Sequence, residues 1–244
     1  MIALKDAGYR IGGRWLWRGL SFAVQAGEII AVVGANGCGK TTLARVLTGL
    51  SQLAEGRREA PAAIGYVPQI SELHTPVSVE EVVRMGRVRE ARAFGGLRKA
   101  DTEKIAAAIA AVGLESFARQ SFLRLSGGER QLALIARALA QETRMLVLDE
   151  PLSSLDLANQ ARMLDLLTAL AGKGYGIVLT THQPQHALRC ATHALLLREG
   201  AAPRFGVVDE MILDAPLSQT YGVPVRVVEL AGPNGASRHV IPIL

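Results

Sequence analysis

Cysteine is scarce in this chain: Cys38 and Cys190 are the only two in 244 residues. Far apart in sequence, they make no disulfide framework and fit a reducing compartment. Long apolar runs are missing too. No uninterrupted stretch approaches the ~18 apolar residues that a membrane-spanning helix needs. The opening Met1-Ile2-Ala3-Leu4-Lys5-Asp6 places a charged pair where a secretory leader stays apolar, so the expectation is a cytosolic protein. There are no internal repeats and no low-complexity linker. A disulfide-stapled secreted domain and a channel built of membrane-spanning helices are thereby excluded, while a seat on a membrane partner is not.

What is present bounds the chain from the other side. Apolar residues make up 49% of it, which rules out a disordered tail and supplies one substantial core. The formal net charge of +5 favours an anionic partner. Its densest basic run is Arg84, Arg87, Arg89, Arg92, Arg98 and Lys99, and a solvated face is the default expectation for such a run.

Short apolar strands are expected at 28–33, 63–67, Met145–Leu148, Gly176–Thr181 and 194–197, separated by helical pattern. That alternation indicates an α/β fold with a largely parallel sheet. Residues 71–140 read as a helical insertion into a core formed by 1–70 and 141–210. Within it, Ser78-Val79-Glu80-Glu81 spells a capping box, and Asp101 is expected to cap an alanine-rich helix ending near Gly113. From 211 to 244, alternating segments such as Val225-Arg226-Val227-Val228 predict a small β-rich tail of this single domain.

The chemistry is concentrated in a few stretches. Gly34-Ala35-Asn36-Gly37-Cys38-Gly39-Lys40-Thr41 matches G-x-x-x-x-G-K-[ST] between a strand and a helix, with Thr42 following. Glycines let backbone N–H groups turn inward around phosphate oxygens at a helix start whose dipole favours anions. Lys40 can then reach the outer phosphates and the Thr41 hydroxyl can bind Mg²⁺. The apolar strand 145–148 ends in Asp149 and Glu150, placed to hold Mg²⁺ and to take a proton from attacking water. A third stretch, Leu125-Ser126-Gly127-Gly128-Glu129, opens another helix on small residues. One nucleotide has no evident need of two such cradles within one chain, so the second fits a neighbouring subunit's nucleotide.

Taken in order, these motifs resemble the ATPase subunit of an ABC transporter over about residues 1–210. The 34–41 stretch is similar to its Walker A loop, Gln69 to the Q-loop, 125–129 to the signature and 145–150 to Walker B. Ser153-Ser154-Leu155-Asp156 resembles the D-loop, and His182 the switch histidine. The resemblance implies a P-loop fold and hydrolysis of Mg·ATP, with Glu150, His182 and Gln69 catalytic and Thr41, Gln69 and Asp149 around the metal. It implies a homodimer in which Ser126, Gly127, Gly128 and Glu129 touch the partner's ATP, with Asp156 in the D-loop. Glu129 departs from the commoner glutamine, and Leu152 and Ser154 replace threonine and alanine. Ile11 falls where the family has an adenine-stacking aromatic, so Tyr9, two residues earlier on the same strand face, is the expected substitute. His182, His186, Cys190 and His193 have metal-like spacing, but Pro184 breaks the helix they would need, and no metal is expected there.

The segment 79–87, the Thr181-His182-Gln183-Pro184 turn and the tail 217–229 are similar to the branch importing metal chelates. This implies import of a ferric siderophore first, or of haem, cobalamin or molybdate. It also implies two permease subunits, an indirect substrate-binding protein, and a peripheral place on the cytoplasmic face of the cell membrane. The alternative is a soluble ABC ATPase acting on nucleic acid or ribosomes. The basic charge gives it slight support, but there is neither a second cassette nor a long coiled-coil insertion, and no nucleic-acid partner is expected.

Overall fold

In a computed structural model, residues 1–69, 76–90, 98–232 and 235–243 are described. Strands β1 (Ile2–Ile11) and β2 (Arg14–Val24) form an antiparallel pair. β3 (Ile29–Val33) runs through the 34–39 loop into α1 (Lys40–Leu47), and β4 (Glu55–Glu59) returns to pair with β1. After β5 (Gly65–Val67) come α2 (Val79–Arg84), α3 (Lys99–Ala111) and α4 (Gly127–Leu139). β6 (Met145–Leu148), α5 (Leu157–Gly172), β7 (Gly176–Thr181), α6 (Pro184–Cys190), β8 (His193–Leu196) and β9 (Arg204–Val207) complete the central layer. The chain ends in α7 (Val208–Met211), α8 (Asp214–Tyr221) and a hairpin of β10 (Val225–Gly232) and β11 (Gly235–Pro242).

The central sheet has the order β5-β6-β7-β3-β8-β9 and is parallel except for the antiparallel edge pair β8–β9. All five residues of β3, Ile-Ile-Ala-Val-Val, are buried, as a strand covered on both faces requires. Period-two alternation divides them between two cores. Ile29, Ala31 and Val33 face α4, α5 and the helical insertion, whereas Ile30 and Val32 face α1 and the β2-β1-β4 sheet. β6 and β7 divide in the same way, with Leu146, Leu148, Ile177 and Leu179 on one side and Met145, Val147 and Val178 on the other. Each such side chain contributes about 1.5–3 kcal/mol on burial. The strand ends are therefore fixed firmly enough to position the loops that follow them.

The expected α/β architecture with a largely parallel sheet is the one found. The capping box at α2 is present: Ser78 Oγ accepts from Glu81 N at 3.2 Å and Glu81 Oε2 from Ser78 N at 2.7 Å. Three expectations need correction. Asp101 is not the cap of α3, which begins at Lys99. It lies three residues beyond the Arg98 cap, and its Oδ2 accepts the Arg98 N–H at 3.1 Å. The basic run is not wholly a solvated face, because Arg87 is buried against Asp101 Oδ1 at 2.7 Å and Glu142 Oε2 at 3.0 Å. Arg84, Arg98 and Lys99 are exposed, while Arg92 lies outside the described residues and the side chain of Arg89 is not described. The tail is only half β, since α8 precedes the hairpin and carries the buried Leu217 and Thr220. Among the described residues, no helix is long and apolar enough to cross a membrane.

Candidate functional site

The end of β3 and the start of α1 form the floor of a cleft of about 390 Å³. Gly39, at φ 97°, caps α1 without any side-chain hydrogen bond, and the first turn carries no acid. A side chain would be strained at that φ and would press on Trp17. At Gly34 a Cβ would stand 2.3 Å from the Leu197 carbonyl oxygen. The loop thus needs glycine to lie this close to β8, and it leaves the helix-start N–H groups and dipole directed at the cleft.

Asn36, Gly37, Gly39, Lys40, Thr41 and Thr42 line the cleft on this side. Gln69, two residues past β5, and Glu150, two past β6, line it on the other, with Ile11 and Leu16 of the β1–β2 hairpin as its apolar wall. Gly34 and Ala35 contribute carbonyl oxygens beneath it. Lys40 is 6% exposed, and its three N–H donors meet Gly34 O at 2.9 Å, Ala35 O at 3.1 Å and Glu150 Oε1 at 3.2 Å. A buried charge pair offsets its desolvation only when its remaining donors and acceptors are satisfied, and here the ammonium is satisfied.

Glu150 is 7% exposed and holds its other oxygen, Oε2, 2.7 Å from His182 Nδ1. Its φ of 48° lies in the left-handed region, uncommon for a residue with a side chain. The Thr180 hydroxyl supports that conformation, accepting from Glu150 N at 2.8 Å and donating to Asp149 Oδ1 at 2.6 Å. One hydroxyl at the end of β7 therefore orients both acids of β6. Thr180 lies outside the motifs that mark the site in the sequence. The only sequence signal for it is a threonine pair ending an otherwise apolar strand.

Two residues expected at the cleft are elsewhere. Tyr9 does not line it; its ring packs 5.8 Å from Trp17, against the core beneath the sheet, while Ile11 reaches the cleft. β1 has register shifts between Ala7 and Tyr9 and again between Tyr9 and Arg10, so simple alternation does not carry from residue 9 to 11. Cys38 turns its thiol into the core at 3% exposure, and burial pushes its pKa up, with Lys40 opposing. Beyond His182, the other metal-like residues each have protein partners. His186 packs its Nδ1 2.8 Å from Thr181 Oγ1, and burial, then the charge of His182, lower its pKa to about 4. Burial drives the Cys190 thiol up to about 12, and His193 stacks on Phe205 at 5.4 Å.

The signature residues are not brought into this cleft. Ser126, Gly128 and Glu129 line a second cavity of about 350 Å³ with Asn159 and Arg162 of α5. Gly127 lies against Ser154, and Asp156 caps α5 by accepting from Asn159 N at 2.8 Å.

Comparison with known proteins decides the family. The model of the ABC transporter family matches residues 17–153, which include the 34–41 loop, the signature and both acids. The chain belongs to the ABC transporter family. It is 36% identical to the molybdate import ATP-binding protein MolC of Haemophilus influenzae, over 94% of this chain and 90% of that protein. It is 34% identical to the ferric enterobactin transport ATP-binding protein FepC of Escherichia coli, over 92% and 87%. A solved structure described as an inward-facing metal-chelate type ABC transporter matches 100% of this chain and 97% of that chain, with a TM-score of 0.95 and 33% identity. As an ABC ATPase this chain binds and hydrolyses ATP.

Proposed function

We propose that this chain powers import of a metal chelate through a membrane permease by hydrolysing Mg·ATP at a site shared between two copies. The observation that carries the chelate reading is the match along 100% of this chain to a metal-chelate type transporter, C-terminal hairpin included. A ferric siderophore is the first choice of cargo, with haem, cobalamin and molybdate as the others. The relatives' own names support a metal compound, since one is a molybdate and another a ferric enterobactin protein.

Lys40 and the α1 N-terminus hold the outer phosphates. The aliphatic surface of Ile11 and Leu16 receives the adenine. Glu150 takes the proton from the attacking water, and His182, on the same carboxylate, keeps it aimed. The donors Thr41, Gln69 and Asp149 are all oxygen, the set that Mg²⁺ prefers, and they would hold that ion, which supplies neutralisation of charge developing on the phosphate oxygens. Ser126, Gly127 and Gly128, separate from the chain's own cleft, face the nucleotide of the second copy, with Glu129 and Asp156 shaping that surface. The ATPase pair sits peripherally on the cytoplasmic face, beneath two permease subunits, and reaches the substrate-binding protein only through them.

The test is reconstitution with the permease encoded beside this chain and its binding protein, loaded in turn with ferric siderophore, haem, cobalamin or molybdate. Stimulated ATP hydrolysis with one loaded form is expected. An ATPase indifferent to permease and to every loaded binding protein would overturn the proposal.

A further inference from the structure

The C-terminal segment reaches back to the catalytic cleft. The Tyr221 hydroxyl donates to the main-chain carbonyl of His182 at 2.7 Å, 39 positions away. His182 is thus gripped twice, its imidazole by Glu150 and its backbone by a phenol. Just beyond the turn, in the first turn of α6, Gln185 is clamped by β11: its Nε2 donates to Arg238 O at 3.0 Å and its Oε1 accepts from Val240 N at 3.1 Å. A cavity of about 280 Å³ lies between turn and tail, with His182, Pro184, Tyr221, Val225 and Val240 on its walls.

Tyr221 is itself held from behind. Leu217 and Thr220 bury α8, and Gly222, at φ 71°, ends the helix immediately after the tyrosine. Ser218 Oγ accepts from Val225 N at 2.9 Å and Asp214 Oδ1 from Val227 N at 2.7 Å, tying α8 to β10. Burial, and after it Cys38 and Glu150, push the phenol pKa up, so the hydroxyl keeps its proton and donates.

Local bonds tie the turn at Gln183 rather than at His182: Gln183 N donates to Thr181 Oγ1 at 3.1 Å, and Gln183 O accepts from Thr181 Oγ1 at 3.4 Å and from His186 N at 3.2 Å. His182 itself keeps a side-chain exposure of 39%. A displacement of about 1 Å at a catalytic group can cost 10²-fold in rate, so an external anchor on this backbone matters to the chemistry.

We propose that Tyr221 is a positioning residue for ATP hydrolysis, its phenol and the β11 clamp on Gln185 together holding the His182 turn in register with Glu150. The proposal rests on His182 acting in the cleft, and it gives the C-terminal helix and hairpin a part in catalysis. Tyr221 touches no reacting atom; it acts through His182.

Tyr221→Phe keeps the ring and removes the donor. In the full-length protein, kcat for ATP hydrolysis should fall roughly three- to tenfold, the scale of one lost hydrogen bond, with KM for ATP unchanged. In a His182→Ala background the same substitution should cost nothing further, because the imidazole it positions is gone. Gln185→Ala, on the other side of the turn, should show the same kcat loss and the same silence in that background, and it carries the test if Tyr221→Phe fails to fold. A Tyr221→Phe enzyme with wild-type kcat beside a slow His182→Ala enzyme would overturn this inference alone. Equal further loss in the His182→Ala background would overturn it too, as a general structural effect. Wild-type hydrolysis by His182→Ala would remove both the histidine's role and the tyrosine's.

Discussion

Two helices of this chain start on glycines beside cavities of similar size, and they are built in opposite ways. α1 is capped by Gly39, with no side-chain cap and no acid in its first turn, so its N–H groups and positive dipole end remain for an anion. α4 begins at Gly127 and is capped by Ser126, where a capping box closes on itself. Glu129 Oε2 accepts from Ser126 N at 2.7 Å, and Ser126 Oγ accepts from Glu129 N at 3.3 Å. In the α1 cleft, Glu150 meets Lys40 with one oxygen and, with the other, His182, which lines the neighbouring cavity toward the tail. The α4 cavity has Glu129 and Arg162 but no comparable acid–base pair. The contrast fits the function proposed above, in which the α1 cleft runs the reaction and the α4 surface completes a site whose chemistry belongs to another copy.

The largest effect comes from breaking the α1 side at its carboxylate. Glu150→Gln should retain ATP binding and cut turnover about 10²–10⁴-fold, the range for a lost general base, as read by phosphate release at saturating Mg·ATP. Near-normal turnover would leave the α1 cleft without its base and dissolve the contrast.

A smaller effect separates the two regions by pH. His186, behind the α1 cleft, has its pKa lowered to about 4 by burial, from 6.5 in an exposed histidine. Between those values the unfolded chain binds a proton that the folded chain refuses, so stability declines as pH falls through that window. The wild-type Tm should therefore drop between pH 6.5 and 4.5 by roughly 5 °C more than that of His186→Asn, measured by calorimetry. Parallel curves for the two proteins would remove the buried neutral histidine from the account.

The smallest effect sharpens the α4 side. Glu129→Gln can keep the capping box, because an amide oxygen still accepts from Ser126 N, but it removes an anion from the helix start. If a nucleotide phosphate of a second copy docks there, ATP-dependent dimerisation in the Glu150→Gln background should tighten about two- to threefold, the scale of one helix-end charge. Sedimentation at graded protein concentrations reads this directly, and weakened association would contradict it.

Much of the α1 cleft was legible in the sequence, because the loop motif and the two acids are local and their strands are marked by apolar runs. Lys40, Glu150 and His182 meet as their motifs imply. What stayed hidden depends on irregularity or on distance. Tyr9 was placed by strand alternation, which the shifts in β1 interrupt, so Ile11 reaches the cleft instead. The cysteine inside the loop gave no sign that its side chain turns inward, since that follows from the loop lying against Leu197. Asp101 was misplaced because α3 starts at Lys99, earlier than the alanine-rich pattern suggests. Thr180 bridging both acids and Tyr221 holding His182 are contacts across 30 to 39 positions, with no local pattern to announce them.

The measurement that tests the central claim most directly is ATP hydrolysis by a Ser126→Arg homodimer, with nucleotide binding followed on the same sample. Ser126 lies outside its own chain's cleft, so a bulky cation there leaves Lys40, Glu150 and His182 undisturbed. The account predicts that binding persists while hydrolysis falls at least ~10²-fold, since the group that completes the partner's site is blocked. Hydrolysis at the wild-type rate would show that one chain suffices, and would contradict the division between the two helix starts.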